Sequence, residues 1–161
     1  GPAAGEGRVR CPVGVPQREK AIRVYYSFIF RDEFDLLAVL MAELFNVVDS
    51  FVILESGKTF RGDGKPMYLD SELMRYSDQA LKLHRLEVGV PAYCMADFGH
   101  CMEVLRGTAT QYAALRLRPE HRMQGDDLIV LAEADEILSA ETVLQLKHCR
   151  FRTPVLFGLQ R

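Results

Sequence analysis

The sequence predicts an α/β fold, with a mainly parallel sheet covered by helices on both faces. Short apolar runs alternate with amphipathic helical patterns along the chain, and this order is typical of parallel strands joined by helical crossovers. The runs Ser50–Leu54 and Leu128–Ala132 are continuously apolar, as expected of strands buried on both faces. With 161 residues, 48% of them hydrophobic, the chain is long enough for one domain with a core.

The strands are predicted from runs rich in β-branched and aromatic residues. They cover Ile22–Phe30, Ser50–Leu54, about 82–88 and Leu128–Ala132. Helices are predicted from apolar residues at helical spacing. The first has Asp32 as its N-cap and ends near Phe45, the next two cover about 71–79 and 98–117, and the last is capped by Ser139 and ends at Lys147 and His148.

The two ends of the chain indicate a fragment. The chain opens with Gly1 rather than Met and stops at Arg161, directly after the strand-like run Pro154–Leu159. We therefore expect residues 1–20 to be a linker or disordered segment and residues 21–161 to be one incomplete domain.

Composition excludes several classes of function. The net charge of -2 gives no electrostatic reason to expect nucleic acid or an anionic membrane as a partner. No apolar run reaches the ~18–20 residues that a membrane span requires. The four cysteines (Cys11, Cys94, Cys101 and Cys149) show no C-x-x-C spacing, which disfavours a zinc site. We expect free thiols, with one or two disulfides as the alternative, and the spacing of the cysteines does not decide the redox compartment.

An acidic cluster, Glu133-Ala134-Asp135-Glu136, directly follows the last predicted strand. Ligands of parallel sheets bind beyond the carboxyl ends of the strands, and carboxylates there can hold Mg²⁺ or Mn²⁺ with positions left for substrate phosphates. The alternative is a solvated acidic turn in which Asp135 or Glu136 caps the following helix.

A second candidate is Glu55 with Ser56, at the end of another apolar strand. This pair could bind a nucleotide or a sugar hydroxyl, although Glu55 could equally be a solubilising charge at a strand end. The glycine-rich loop that follows carries three cations, Lys58, Arg61 and Lys65, that could neutralise phosphate. Its spacing is not that of a P-loop, and no G-x-G-x-x-G follows the first strand. The four histidines are scattered and form no metal-binding motif. The sequence has no G-x-S-x-G, so the nucleophile motif of α/β-hydrolases is missing.

The order of these motifs resembles glycosyltransferase family 17, the β-1,4-mannosyl-glycoprotein 4-β-N-acetylglucosaminyltransferase family. The resemblance covers about residues 21–159. It rests on Glu33-Phe34-Asp35-Leu36-Leu37, on Val47-Val48-Asp49-Ser50-Phe51-Val52-Ile53-Leu54-Glu55-Ser56, on Thr59-Phe60 with Lys65-Pro66, and on Asp126-Asp127-Leu128-Ile129-Val130 leading to Ala134-Asp135-Glu136-Ile137. The match is weak over 89–122, so Glu103 and Arg106, which could correspond to a pair in the family's central helix, are left unassigned.

The resemblance implies a GT-A-like nucleotide-sugar-binding domain and an inverting, metal-dependent transfer of GlcNAc from UDP-GlcNAc to a β-linked mannose of N-glycans. It implies a divalent cation, Mn²⁺, held by Asp135 and Glu133, with Glu55, Ser56, Asp135 and Glu136 binding the nucleotide sugar. Glu133 stands where the family has an aspartate, so Asp135 is the firmer ligand. The family's proline after the Asp-Glu-Ile stretch is Leu138 here.

The same resemblance implies a location on the lumenal side of the Golgi membrane, with an anchor outside this chain and a carbohydrate acceptor as the second partner. The catalytic base is expected beyond residue 161. Two alternatives stay open: a relative that binds a sugar or nucleotide without transferring it, and a transferase that uses another UDP-hexose.

Overall fold

The computed structural model describes residues 9–73, 75, 81–90 and 92–152. This part of the chain forms one sheet of four parallel strands in the order β3-β2-β1-β4. The strands are β1 (Val24–Phe30), β2 (Ser50–Glu55), β3 (Leu83–Glu87) and β4 (Leu128–Leu131). The α-helices are α1 (Phe34–Leu44), α2 (Leu69–Leu73), α3 (Phe98–Gln111) and α4 (Ala140–His148). The predicted α/β class and parallel sheet are confirmed.

The central strands β1 and β2 supply most of the core because both of their faces are covered. Every residue of β2 is buried. Along β2, Phe51 and Ile53 point to one face of the sheet while Val52 and Leu54 point to the other, where they join two separate apolar clusters. A strand covered on both faces gains from being apolar at every position, which explains the continuous run in the sequence.

The helices divide between these two faces. Helices α1 and α4 pack on the first, through Leu37, Leu40, Val143 and Leu146 among others. Helix α3 packs on the second through its buried side chains, which are Cys101, Met102, Leu105 and Ala109. Their helical spacing places them on one side of α3, the side that faces the sheet.

Helix boundaries agree with the sequence where a local capping signal is strong. Ser139 caps α4 as predicted, and its Oγ accepts a hydrogen bond from Thr142 N at 3.1 Å. The prediction of Asp32 as N-cap of α1 is wrong, because that position is occupied by Glu33. Glu33 makes no capping bond into the helix and turns its carboxylate back to the N–H groups of Arg31 and Asp32.

Two of the predicted helices have different lengths in the structure. Helix α2 is short, and residues 74 and 76–79 of the predicted helix lie outside the described residues, as does the strand-like run Pro154–Leu159. The predicted helix 98–117 is α3 followed directly by a π-helical turn, Tyr112–Arg116. Gly107 does not interrupt α3.

All four cysteines are paired, so the expectation of free thiols is wrong. Cys11 bonds to Cys149 and Cys94 to Cys101. The first pair is separated by 138 residues along the chain, and no spacing rule reveals such proximity. Disulfides persist mainly in oxidising compartments, so both bonds are consistent with a protein of the secretory pathway.

The Cys11–Cys149 bond ties the N-terminal segment to the end of α4. Arg18 N donates to His148 O at 2.7 Å, and Arg150 N donates to Pro16 O at 2.8 Å. Residues 9–20, part of the predicted linker, thus make specific contacts with the sheet-and-helix domain. Among the described residues, no helix is long and apolar enough to cross a membrane.

Candidate functional site

A cleft of about 170 Å³ opens at the carboxyl edge of the sheet, beside β1 and β4. The chain leaves β1 toward β2 on one side, whereas β4 lies on the other side of β1. Such a reversal of strand order creates a crevice in which open parallel sheets bind ligands. The cleft is lined by Ile29, Arg31, Glu33, Leu36, Phe60, Phe98, Met102, Ala132, Glu133, Ala134 and Asp135.

The acidic cluster forms one wall of this cleft. Ala132 N makes the last bond to β1, to Ser27 O at 2.9 Å, and the chain then turns. Glu133 and Asp135 line the cleft, whereas Glu136 turns back and accepts a hydrogen bond from Glu133 N at 3.0 Å. The structure therefore brings Glu133 and Asp135 together and uses the carboxylate of Glu136 to hold the turn.

Tyr26 of β1 also holds this turn, through a hydrogen bond from its hydroxyl group. Its hydroxyl donates to Glu136 O at 2.6 Å, and burial raises the pKa of the phenol to about 12. The phenol stays protonated over the physiological range and keeps donating this bond. Because α4 is capped by Ser139, neither Asp135 nor Glu136 caps it. The capping alternative for the cluster does not hold.

Arg106 of α3 faces the acidic wall. Its Nη2 lies 3.9 Å from Glu133 Oε1, and the two side chains are 39% and 45% exposed. Glu103, on the same helix, pairs instead with His100 and is 80% exposed. The two positions left unassigned in the sequence thus have different partners: Arg106 faces Glu133, which lines the cleft, whereas Glu103 faces His100, which does not.

A second cation, Arg31, lies in the cleft with its charge already compensated. Its Nε and Nη2 are each 2.9 Å from Glu33 Oε1. Burial alone would raise the pKa of Glu33, but the N–H groups of Arg31 and Asp32 and the Arg31 guanidinium outweigh it and lower that pKa. No sequence pattern assigns Arg31 a role, and Glu33 is marked only as an acidic residue at the start of the first helix and as part of the Glu33-Phe34-Asp35-Leu36-Leu37 motif.

Two aromatic rings, those of Phe60 and Phe98, belong to the apolar part of the cleft lining. Phe60 and Phe98 pack edge to face with centroids 5.2 Å apart, and Phe98 remains 49% exposed. The Cys94–Cys101 bond closes a short loop that contains Phe98. Phe60 lies in a loop that the sequence marks only as polar and glycine-rich, so its place in the cleft was not predicted. Gly62, at φ +89°, allows the tight turn that follows Phe60.

Glu55 ends β2 at the same edge of the sheet but is not among the lining residues. Its carboxylate is fully buried and accepts hydrogen bonds from Tyr68 N at 2.8 Å and Leu69 N at 3.1 Å. Lys65 Nζ lies 3.5 Å from it. The Ser56 hydroxyl accepts a bond from Lys58 N at 3.1 Å. These contacts organise the loop and the start of α2, and a role of Glu55 and Ser56 in binding a nucleotide sugar stays a prediction.

The predicted metal ligands, Glu133 and Asp135, belong to the acidic wall of the cleft. No group of three or more His, Cys, Asp or Glu side chains is placed to hold a metal ion within the described ranges. Two carboxylates, Glu133 and Asp135, do share the cleft. Mg²⁺-type cations at phosphate sites are commonly held by one or two carboxylates, with substrate oxygens and water as the other ligands. The donor set fits a cation bound together with a phosphate ligand.

The amino-acid sequence of this chain is similar to that of known glycosyltransferases. The profile of glycosyltransferase family 17 matches residues 10–160. The beta-1,4-mannosyl-glycoprotein 4-beta-N-acetylglucosaminyltransferases of rat and human are each 31% identical to it, and that of mouse is 30% identical. Each alignment covers 91% of this chain but only 28% or 29% of the relative, so the chain spans less than a third of their length. No solved structure matches it significantly.

The family match covers nearly the whole chain and includes both the strands and the acidic turn of the cleft. This chain belongs to glycosyltransferase family 17.

Proposed function

We propose that the cleft binds the donor of a glycosyl transfer, UDP-GlcNAc, in a GT-A-like domain. The observation that carries the proposal is the pair Glu133 and Asp135, which line one wall of a cleft at the switch point of a parallel sheet. The curated relatives are named as N-acetylglucosaminyltransferases that act on β-1,4-mannosyl-glycoproteins. The proposed acceptor is accordingly a β-linked mannose of an N-glycan, and the proposed location is the lumenal side of the Golgi membrane.

The two carboxylates would hold the divalent cation, Mn²⁺ in this proposal. When bound, the cation would neutralise the negative charge that develops on the departing diphosphate. Asp135 is exposed, and Glu133 is half-exposed with Arg106 as its only ion-pair partner among the described residues. We therefore assign the stronger metal contact to Asp135 and a supporting one to Glu133. Glu136 acts indirectly, by fixing the turn that presents both carboxylates.

The aromatic rings suit the uncharged parts of the donor. Phe60 and Phe98 offer apolar surface to a planar base or to the face of a sugar ring. The apolar residues that surround the charged groups also exclude water and strengthen their interactions with a ligand. Formation of a β-linkage from the α-linked donor inverts the anomeric carbon, so the acceptor hydroxyl attacks from the side opposite to UDP.

A specific observation favours a second candidate, a protein that binds a nucleotide sugar without transferring it. Glu133 replaces the shorter aspartate and already faces a guanidinium at 3.9 Å. The metal and Arg106 would compete for this carboxylate, which would weaken the metal contact and the stabilisation of the leaving group.

Calorimetric titration of the chain with UDP-GlcNAc and UDP, in MnCl₂ or in EDTA, tests donor binding. We expect binding in Mn²⁺ that falls at least tenfold in EDTA. Absence of UDP binding in both buffers would overturn both candidates. UDP-glucose serves as the matched donor control, and equal affinity for it would remove the assignment of the GlcNAc group.

Transfer is tested separately, with UDP-GlcNAc and a β-mannosyl N-glycan acceptor, using both this chain and a chain of the relatives' full length. Formation of a GlcNAc-extended glycan by the longer chain supports the transferase. Metal-dependent UDP binding with no product from the longer chain would favour the non-catalytic candidate.

A further inference from the structure

We infer that Arg106 takes part in ligand binding at the cleft. Its guanidinium binds the anionic oxygens of the ligand, namely those of the diphosphate. This inference rests on the proposed function for the identity of the ligand. The anion site itself is inferred from which cationic side chains around the cleft already have hydrogen-bond partners in the protein.

Most cations near the cleft are already hydrogen-bonded. Arg31 is held by Glu33 through two contacts of 2.9 Å. Lys65 Nζ lies 3.5 Å from Glu55 and donates to Pro66 O at 3.0 Å. The charge of each group is thus already compensated by a carboxylate of the protein, and part of its N–H donors is engaged.

Arg106 differs from both. Its Nε is buried and has no acceptor among the described residues. Its nearest anionic partner, Glu133 Oε1, is 3.9 Å from Nη2, which is an ion pair beyond hydrogen-bonding distance. An arginine carries five N–H donors, and a buried donor without an acceptor costs free energy that an arriving ligand can recover.

Arg106 lies beside the cleft, next to two of its lining residues, rather than among the lining residues themselves. It lies one helical turn after Met102, which lines the cleft, and opposite Glu133, which also lines it. With 39% of its side chain exposed, Arg106 can reorient toward a ligand, and doing so breaks no side-chain hydrogen bond to the part of the chain that the structure describes. The planar guanidinium offers paired donors that match two phosphate oxygens.

Electrostatics favours the same assignment. Glu133 and Asp135 place two negative charges on the cleft wall, and a diphosphate adds more. A cation at the carboxylates offsets part of this repulsion, and Arg106 supplies a positive charge from the opposite helix. The ligand would thus take over the role of Glu133 as the anion facing Arg106.

The experiment compares Arg106→Gln and Arg106→Lys with the wild-type chain. The matched control is Glu103→Gln, a charge change on the same helix at a residue that does not line the cleft. The probes are UDP, inorganic pyrophosphate and uridine, each titrated with Mg²⁺ present. We expect Arg106→Gln to weaken UDP and pyrophosphate binding about tenfold, or ~1.4 kcal/mol. Arg106→Lys should lose less, and Glu103→Gln should match the wild type.

Uridine separates contact with phosphate from a general loss of structure. If Arg106→Gln weakened uridine and UDP binding equally, the residue would act through the fold and the inference would be overturned. A second readout is the ¹H–¹⁵N signal of Arg106 Nε, assigned by its loss in Arg106→Lys. We expect this signal to shift on addition of pyrophosphate or UDP, and its failure to shift with either would overturn the inference.

The outcomes for the two proposals are distinct. UDP affinity that is unchanged in Arg106→Gln overturns the role of Arg106 and leaves the donor proposal standing. A shift with pyrophosphate in a chain that does not bind UDP overturns the nucleotide assignment and supports the anion site. Absence of binding by both probes overturns both proposals.

Discussion

Glu55 and Glu133 look alike in the sequence and differ completely in the structure. Each follows an apolar strand, and both strands end at the same edge of the sheet. Glu55 is fully buried and bonded to two backbone N–H groups and to Lys65. Glu133 is 45% exposed and lines the cleft, with an ion pair of 3.9 Å to Arg106.

The difference comes from what the chain does after each strand. After β2 it makes a closed turn and returns, so that the first N–H groups of α2 and the amine of Lys65 converge on Glu55. Helix N-termini attract carboxylates because their N–H groups lack partners within the helix. After β4, no backbone N–H group among the described residues is bonded to the Glu133 carboxylate, which faces Arg106 alone. A carboxylate after a buried strand is therefore a structural anchor or a ligand-facing group according to the donors that surround it.

The largest expected effect is on stability, from Glu55→Gln. The amide keeps the shape but removes the charge and sets an NH₂ group against backbone donors. Breaking a buried, hydrogen-bonded ion pair typically costs about 3 kcal/mol. We expect urea unfolding, followed by far-UV circular dichroism, to show a loss of this size. The matched control is Glu87→Gln, at the end of β3 in register with Glu55 and 70% exposed, which should change stability by less than ~0.5 kcal/mol. Equal effects of the two variants would contradict the comparison.

An intermediate effect is expected on ligand binding, from Glu133→Gln and Asp135→Asn. Neither change buries an unpaired group, so unfolding free energies should stay within ~0.5 kcal/mol of the wild type. Affinity for UDP in Mn²⁺ should fall about tenfold, more for Asp135→Asn, because each variant removes a proposed metal ligand. Calorimetry in Mn²⁺ and EDTA measures this, with the exposed Glu141→Gln of α4 as control. Wild-type affinity in both cleft variants would remove the acidic wall from the site.

The smallest expected effect is on stability and concerns Glu33, another carboxylate that lines the cleft. Its pKa is lowered below the usual 4.5 in the folded chain. The ionised form is then favoured by folding, so its contribution to stability is present above pH ~4.5 and is lost as the pH falls through the folded-state pKa. We expect Glu33→Gln to lower the unfolding free energy by ~0.5–1 kcal/mol at pH 7, and by progressively less as the pH falls through the folded-state pKa of Glu33. A difference that stayed constant with pH would show that the charge of Glu33 is irrelevant to stability.

The extent to which the fold was predictable depends on how local each signal is. The apolar runs that became β2 and β4 and the serine that caps α4 act within a few residues, and all three were placed correctly. The predicted cap of α1 was wrong by one residue. The N-cap is Glu33, whose carboxylate bonds to Arg31 rather than to the first N–H groups of the helix. The disulfides were missed because the sequence does not reveal the proximity of the N-terminal segment to the end of α4.

The candidate site was predictable only in part, for the same reason. Glu133 and Asp135 were marked by their position after a strand, and the structure places both in the cleft. Glu136 was marked with them, yet its carboxylate holds the turn. Phe60 was marked only as part of the Thr59-Phe60 motif, Arg31 carried no signal and Arg106 was left unassigned, because their place at the cleft arises only when loops and helix α3 meet at the sheet edge.

The sequence by itself determined the parallel α/β fold and the acidic residues that lie at the carboxyl edge of the sheet. These follow from hydrophobic periodicity and from the direction of parallel strands. Only the tertiary structure decided that Glu55 is buried and fully bonded while Glu133 is half-exposed and faces Arg106. The physical reason is that a carboxylate's role depends on the donors and the solvent around it, and residues distant in the sequence supply both.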